Sequence, residues 1–268
     1  MRYFNASQDG AGRNTCVGFV AGYALDNTGD DNTGQRNTFM GSNAGRWTTT
    51  GYSNTFLGEA CGWGNSVNLT GDGNTAVGKG AAYKISGDAD LNTFIGNEVA
   101  ANGTLTGDGN CGMGYRALYD LTTGIYNVVL GYGAGQNITI GDSNIAIGKG
   151  ALETNVDGDK TVAIGDESLN LMETDGNVNS GNTAVGYQAG KNLTTALYST
   201  FVGSQSGGLG TITGDKNDCF GYKTGHDLTS GQYNVFLGYA AGENVTSGSQ
   251  NIAIGSGAGD SNTTGNYN

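Results

Sequence analysis

Aspartate beside glycine at recurrent turns is the most frequent arrangement in this chain that could do chemistry. The positions are Asp72, Asp108, Asp142 and Asp215. Calcium takes about six to eight oxygen ligands, so stacked carboxylates at such turns are candidate metal ligands. Asp and Asn also favour tight turns for a local reason, because their side chains hydrogen-bond the nearby backbone. The pattern leaves turn chemistry and calcium binding as alternatives, and it indicates no other cofactor.

Four cysteines and one histidine are the other residue types that commonly do chemistry. The cysteines are Cys16, Cys61, Cys111 and Cys219, spaced by 45, 50 and 108 residues without a CxxC pair. This spacing favours small buried residues over zinc ligands, with disulfides between copies as an alternative. His226 adjoins Asp227, but neighbouring strand residues face opposite ways, so we expect a surface or ladder histidine that is not paired with Asp227. We therefore expect no catalytic residue and no enzyme.

Composition limits the partners of the chain. Glycine supplies 51 of 268 residues and proline none, which indicates frequent turns and a need for nearly every backbone N–H in a ladder. The net charge of −12 disfavours nucleic acid, because phosphate binding needs clustered Lys and Arg. No apolar run approaches the roughly 20 residues of a membrane span, and we expect no membrane insertion.

One box, Asn-x-x-apolar-Gly, recurs along the whole chain and must build the elements that position these residues. Successive box glycines are 17 to 23 residues apart, most often 17. Asn opens twelve of the fourteen boxes, and Thr161 and Ser199 open the other two. Such a period indicates stacked solenoid coils. The box glycines, each expected to make a turn, are Gly18, Gly41, Gly58, Gly78, Gly96, Gly114, Gly131, Gly148, Gly165, Gly186, Gly203, Gly221, Gly238 and Gly255.

The residue before each box glycine is apolar in every copy. Stacking at the ~4.8 Å strand spacing would place these side chains above one another, so we expect them to form the core. They are Val17, Met40, Leu57, Val77, Ile95, Met113, Leu130, Ile147, Ile164, Val185, Val202, Phe220, Leu237 and Ile254.

The box and the segment after it predict an all-β fold. A second short segment, for example Asn137-Ile138-Thr139, follows six to eight residues after the box glycine and leads into a Gly-containing turn. Each unit thus offers two short strands and two turns, which predicts a β-solenoid or β-roll of about fourteen coils. We expect a lead-in over residues 1–12, the repeat array over 13–260 and a tail over 261–268.

A coil of two short strands is thin, and this predicts self-association. One or two interior side chains per layer would bury little apolar surface. Residues two before the box glycine, such as Phe39, Phe56 and Phe236, would then form a second apolar face. Three chains around one axis would cover that face, so we expect a homotrimer.

The box resembles the head repeats of bacterial trimeric autotransporter adhesins. The segments that carry the resemblance are Thr161–Gly165, Asn144–Ala151 and Asn251–Ala258, and the form at Asn182–Gly190 is similar to repeats of bacteriophage tail-fibre and other surface-fibre proteins. The resemblance implies a trimeric, left-handed parallel β-roll. It covers nearly the whole chain, although the adhesin repeat is shorter and the heptad stalk and membrane anchor of those adhesins are not seen here.

Tyrosines cluster directly after several boxes, at Tyr115, Tyr132, Tyr187, Tyr222 and Tyr239. Facing outward they would form an aromatic ladder suited to contact with a host glycan or protein; facing inward they would be packing. We expect a structural fibre or adhesin shaft, located extracellularly, on a virion or at a cell surface, with multivalent contacts. The alternatives are a monomeric ligand-binding solenoid, either ice-binding or calcium-stabilised, and a repeating subunit of an extracellular filament.

Overall fold

Parallel β-strands and turns make up the structure, a computed structural model that describes residues 13–25, 34–64, 66, 68–174, 176 and 178–268. These residues contain no helix, and hence none long and apolar enough to cross a membrane. The chain forms two compact units, residues 1–127 and 128–268. The prediction of an all-β solenoid with a period of about 17 residues is confirmed.

Each strand has three residues and follows the opening residue of a box. The first unit contains β1 (Thr15–Val17), β2 (Thr38–Met40), β3 (Thr55–Leu57), β4 (Thr75–Val77), β5 (Thr93–Ile95) and β6 (Cys111–Met113). The second contains β7 (Val128–Leu130), β8 (Ile145–Ile147), β9 (Val162–Ile164), β10 (Thr183–Val185), β11 (Thr200–Val202), β12 (Asp218–Phe220), β13 (Val235–Leu237) and β14 (Ile252–Ile254). Within each unit, successive strands pair in parallel without a register shift, so equivalent residues of successive coils form columns.

The box glycines make the turn that ends each strand, as expected. Their φ angles lie between 123° and 143°, a region that residues with a Cβ rarely adopt. The coils also approach most closely here. A Cβ on Gly148 would lie 2.3 Å from the carbonyl oxygen of Gly165 in the next coil. Conformation and space therefore both require glycine at this position.

The predicted core column is wrong by one residue. In β2 to β14 the middle strand residue is buried, whereas the first and third residues are half-buried or exposed. Val17, Met40, Ile95, Met113, Phe220, Leu237 and Ile254, all assigned to the core from sequence, are 36 to 66% exposed. The half-buried members of that set are Leu57, Val77, Leu130, Ile147, Ile164, Val185 and Val202. The physical reason is strand alternation: the box Asn points inward, so the residue two later does too.

Four inward positions per coil, rather than one or two, form the core. They are the middle strand residue and the residues three, four and about seven after the box glycine; in one coil these are Val129, Ala134, Gly135 and Ile138. The first, second and fourth of these side chains are fully buried. A single chain therefore buries an apolar interior without a partner, and the argument that a thin coil needs two partner chains is wrong.

Side-chain volumes in the interior are shared between two positions. Where the middle strand residue is large, as at Phe56, the residue four after the box glycine is small: a Cβ on Gly62 would lie 2.3 Å from the Phe56 ring. Where the strand residue is small, as at Ala146, the partner position holds Leu152, which is fully buried. These two coils thus reach close packing by opposite arrangements, whereas other coils, such as the one with Ala184 and Gly190, hold small residues at both positions.

The opening asparagines of the boxes form a buried hydrogen-bonded column. The backbone N–H of Asn234 donates to Oδ1 of Asn217 (3.1 Å), and its Nδ2 donates to the same oxygen (2.9 Å). The Nδ2 group also donates to the carbonyl oxygen of Gly248 (2.8 Å). In turn, Oδ1 of Asn234 accepts from Asn251. This column explains why the box begins with Asn, because one side chain satisfies buried backbone groups in its own and neighbouring coils.

Two further expectations change. The second strand appears only as isolated bridges at some coils, such as Leu193 with Ile212, and otherwise as turns. Residues 261–268, predicted as a tail, are a continuation of the array, because Asn268 donates to Oδ1 of Asn251 (3.0 Å) and extends the asparagine column. The predicted lead-in, 1–12, lies outside the described residues.

Candidate functional site

The candidate calcium residues share one position in the coil, two residues before the opening residue of a box, and within each unit this position forms a column. Within the first unit, Oδ1 of Asp72 accepts the N–H of Tyr52 (2.8 Å), and Oδ1 of Asp90 accepts the N–H of Asp72 (2.7 Å). Oδ1 of Asp108 accepts the N–H of Asp90 in the same way (2.8 Å). This bond from each carboxylate to the preceding coil favours the turn interpretation of these residues over the calcium interpretation.

The second unit has the same kind of bond at this position, from either aspartate or asparagine side chains. Asp159 accepts the N–H of Asp142 (2.8 Å), and Asp215 accepts the N–H of Leu197 (2.9 Å). Further along, Asn266 accepts the N–H of Ser249 (2.7 Å). A neutral amide oxygen can therefore accept the same backbone hydrogen bond as a carboxylate. In the part of the chain that the structure describes, no three His, Cys, Asp or Glu side chains form a group suited to a metal ion.

Asp90 and Asp159 belong to this column, and the sequence analysis missed both. Their turns lack the full Gly-Asp-x-Asn form of the other candidates, because Ala89 precedes Asp90 and because Thr161, not Asn, opens the box after Asp159. The signal that identifies them is position, two residues before the opening residue of the box.

Partial burial raises the pKa of two carboxyl groups in these columns. Partial burial, then the charge of Asp142, raises the pKa of Asp159 above its usual value of 3.8, while the hydrogen bond from the Asp142 N–H acts in the opposite sense. Burial, with help from Asp90, raises the pKa of Asp72 in the same way. A group whose folded pKa is raised favours folding below its unfolded pKa, and the benefit is lost as pH rises through the folded pKa. These two groups therefore disfavour the folded state at neutral pH.

We predict that Asp159→Asn is more stable than the wild type at pH 7 and loses this advantage as pH falls towards the unfolded pKa of about 3.8. The amide retains an acceptor for the Asp142 N–H and removes a negative charge. Thermal melting across that pH range measures the difference. Glu167→Gln is the opposite control, since bonds from Lys191 and Gln188 lower the pKa of Glu167, so it should be less stable at pH 7. Equal pH profiles for the wild type and Asp159→Asn would contradict the prediction.

The tyrosines after the boxes face outward, which is the first of the two orientations that the sequence left open. Tyr115, Tyr132, Tyr187, Tyr222 and Tyr239 are 37 to 62% exposed. The rings of Tyr222 and Tyr239 stack with centroids 5.4 Å apart and an interplanar angle of 23°. Because these two rings cover each other's faces, the surface they present outward is formed by ring edges and hydroxyls.

The first and third strand residues form an outward sheet surface, here called the outer strand face. On β7–β14 this face holds sixteen residues, of which Asp218 alone is charged. The chain as a whole has a net charge of −12. On β1–β5 the first column is an unbroken row of threonines, Thr15, Thr38, Thr55, Thr75 and Thr93. The two units thus present different chemistry on the equivalent face.

The burial of two cysteines and the position of the histidine differ from what the sequence predicted. All four cysteines are free; Cys61 and Cys219 are buried, whereas Cys16 and Cys111 are half-buried. Burial raises the pKa of Cys61 to about 12, which disfavours the reactive thiolate. His226 is buried, not at the surface, and its Nδ1 lies 2.9 Å from Oδ1 of Asp227. The expectation that they do not pair is wrong, because His226 lies in a turn, where strand alternation does not apply.

Comparison of the chain with family models, with curated proteins and with solved structures gives no match.

Proposed function

We propose that this chain is a structural fibre segment with an adhesive surface, acting outside the cell or on a virion, and that it is not an enzyme. The observation that carries the proposal is that the repeated polar side chains form hydrogen bonds within the stack of coils. The box asparagines and the turn aspartates bond the backbone of neighbouring coils. The side chains that recur most often therefore maintain the stack, and the chemistry available to partners lies in the outward columns.

Self-association through the outer strand face of the second unit is part of this proposal. Two acidic chains repel each other, and this nearly uncharged face is where they approach with least repulsion. Eight strands span about 34 Å, and seven residues from before the box to after it span about 20 Å. The resulting area, on the order of 700 Å², is close to the ~800 Å² that each partner contributes to a standard interface. It includes flanking turn residues, among them the charged Lys149, Lys160 and Asp166, beside the nearly uncharged strand residues. A homotrimer, as in the proteins that the box resembles, remains the proposed assembly.

We predict that the wild-type chain sediments as a trimer and that Leu237→Lys sediments as a monomer. Leu237 is 47% exposed on this face, so lysine is accommodated in the single chain but places three like charges at a shared interface. Analytical ultracentrifugation at micromolar concentration measures the mass.

Ser247→Lys is the matched control, because it adds the same charge at an exposed turn away from the strands. It should associate as the wild type does, and circular dichroism should show that both variants are folded. A wild-type chain that stays a folded monomer would refute association through this face.

The threonine row of the first unit favours a second function, an ordered ice-binding surface. Five threonines occupy this row on consecutive coils of the first unit before Cys111 ends it. The aliphatic replacements Val128, Ile145, Val162, Val235 and Ile252 all fall in the second unit. Hydroxyls and methyl groups then repeat at about 4.8 Å. A thermal-hysteresis assay on the wild-type chain separates this function from that of a fibre.

A further inference from the structure

A groove in the first unit interrupts the otherwise regular outer surface of the coils. It has a volume of about 480 Å³, and its lining includes Trp63, Tyr83, Ala101 and Tyr119. These residues belong to one column, five residues after the box glycine. In the second unit the same column holds Gln136, Glu153, Asn170, Lys191, Gly208, His226, Glu243 and Asp260. The aromatic column is therefore a local feature, and the repeat does not require it.

Ala101 breaks the row of rings and leaves a slot. Trp63 and Tyr83, on consecutive coils, have ring centroids 4.7 Å apart, whereas Ala101 carries no ring between Tyr83 and Tyr119. Coils two steps apart are separated by about 9.6 Å. A ring inserted between two others needs roughly 3.5–4.0 Å on each side. The coil spacing thus leaves room for one ring above Ala101, beside the Arg116 guanidinium, whose central carbon lies 4.8 Å from the Tyr119 ring centroid.

The rim of the groove supplies hydrogen-bonding groups of both kinds. Lys79 pairs with Glu59 (3.3 Å) and Arg116 with Glu98 (2.7 Å). Nζ of Lys84 donates to the backbone oxygen of Asn102 (2.6 Å). The lining itself holds two cations, Lys79 and Lys84, and two carboxylates, Glu59 and Glu98. Arg116 and Asp120 lie outside it, as the partners of Glu98 and Asn102. With its charges balanced, the rim favours a neutral ligand that has both donors and acceptors.

One indole donor at the groove has no partner. The Nε1–H of Trp63 is buried, and none of the described residues provides an acceptor for it. An unsatisfied buried donor destabilises the protein that holds it.

We propose that this groove binds a neutral saccharide, with one pyranose ring between the rings of Tyr83 and Tyr119. The apolar C–H faces of a pyranose suit aromatic walls, and its hydroxyls suit a rim of carboxylates, ammonium groups and amides. A planar aromatic ligand would fill the slot but leave this rim unused. The proposal deepens the adhesive part of the proposed function by giving it a site and a ligand class.

The test is an array of immobilised oligosaccharides, with neutral oligomers of glucose, galactose, mannose and N-acetylglucosamine beside sialylated and uronate-containing oligomers. The full-length wild type should bind one or more neutral members. Ala101→Tyr, which restores the missing ring of the column, should weaken that binding at least about tenfold. Gln136→Tyr adds the same ring at the equivalent position of another coil and should bind as the wild type does.

Each other outcome overturns part of the proposal. No binding to neutral members, or binding to acidic members alone, overturns the ligand class. Wild-type binding by Ala101→Tyr overturns the location. If Ala101→Tyr does not melt as the wild type does, Tyr119→Ala tests the same slot by removing one wall, and it too should bind at least about tenfold more weakly. Array binding does not depend on association, so its failure is distinct from a monomeric result in the ultracentrifuge.

Discussion

Replacing a single box glycine by alanine should strongly destabilise the second unit. In Gly148→Ala the new Cβ would lie 2.3 Å from the carbonyl oxygen of Gly165, and the backbone would hold a φ of 134°. Backbone strain and overpacking each contribute about 1–3 kcal/mol. We expect the free energy of unfolding to fall by about 4 kcal/mol, measured by chemical denaturation.

Two glycines of the same unit separate the causes. At Gly133, φ is 61° and the nearest atom to an added Cβ is 3.5 Å away, so Gly133→Ala tests strain without a clash. At Gly255, φ is 123° and the nearest atom is 3.9 Å away, so Gly255→Ala tests the box conformation without the clash. Each should cost only about 1–2 kcal/mol. If Gly148→Ala costs no more than these controls, close approach of the coils is not the reason for the glycine.

Removing one amide from the asparagine column should have an effect of similar size. Asn234→Leu keeps the side-chain volume but removes the acceptor for the Asn251 N–H and the donor to the Gly248 oxygen. Each buried group left unsatisfied costs about 1–3 kcal/mol. We expect a loss of about 3–5 kcal/mol in the free energy of unfolding.

Serine occurs at the same position in another coil of this chain, so a serine variant is a suitable control. Ser199 occupies the column and its Oγ accepts the N–H of Asn217 (3.1 Å). Asn234→Ser therefore keeps an acceptor and should cost about half as much as the leucine variant. Equal losses in the two variants would show that the amide acts through packing, and the column would then not be held by hydrogen bonds.

The fold class could be predicted from the sequence because the repeat is long and regular. Fourteen glycines at a nearly constant spacing determine the coil, and the structure places a strand before each. The inward side of the strand could not be read from hydrophobicity, because the middle and last residues, such as Phe236 and Leu237, are both apolar. In a strand of three residues a shift of one exchanges the two faces. The inward side could be predicted only from the box asparagine, because a buried asparagine means that the residue two positions later also points inward.

The candidate sites were less accessible to sequence reasoning because they arise from columns. The Gly-Asp search found Asp72 and Asp108 but not Asp90, which lies between them in space. The groove was missed because Ala101 is unremarkable alone and becomes a floor only when Tyr83 and Tyr119 flank it one coil away. Aligning the boxes and reading each column down the stack would have shown both features.

The shared interior volume has a consequence for how such an array can diverge. A coil that holds Phe201 requires a small residue at Gly207, where a Cβ would lie 2.5 Å from the ring, whereas a coil with Ala146 holds Leu152. Passing from one arrangement to the other by single substitutions goes through either an overcrowded layer or a layer with two small residues, and the coil with Ala184 and Gly190 is a layer of the second kind. A large residue is therefore expected to arise at one position only after the other position has become small. Duplication of whole coils is an easier route to variety, because each copy carries a compatible pair.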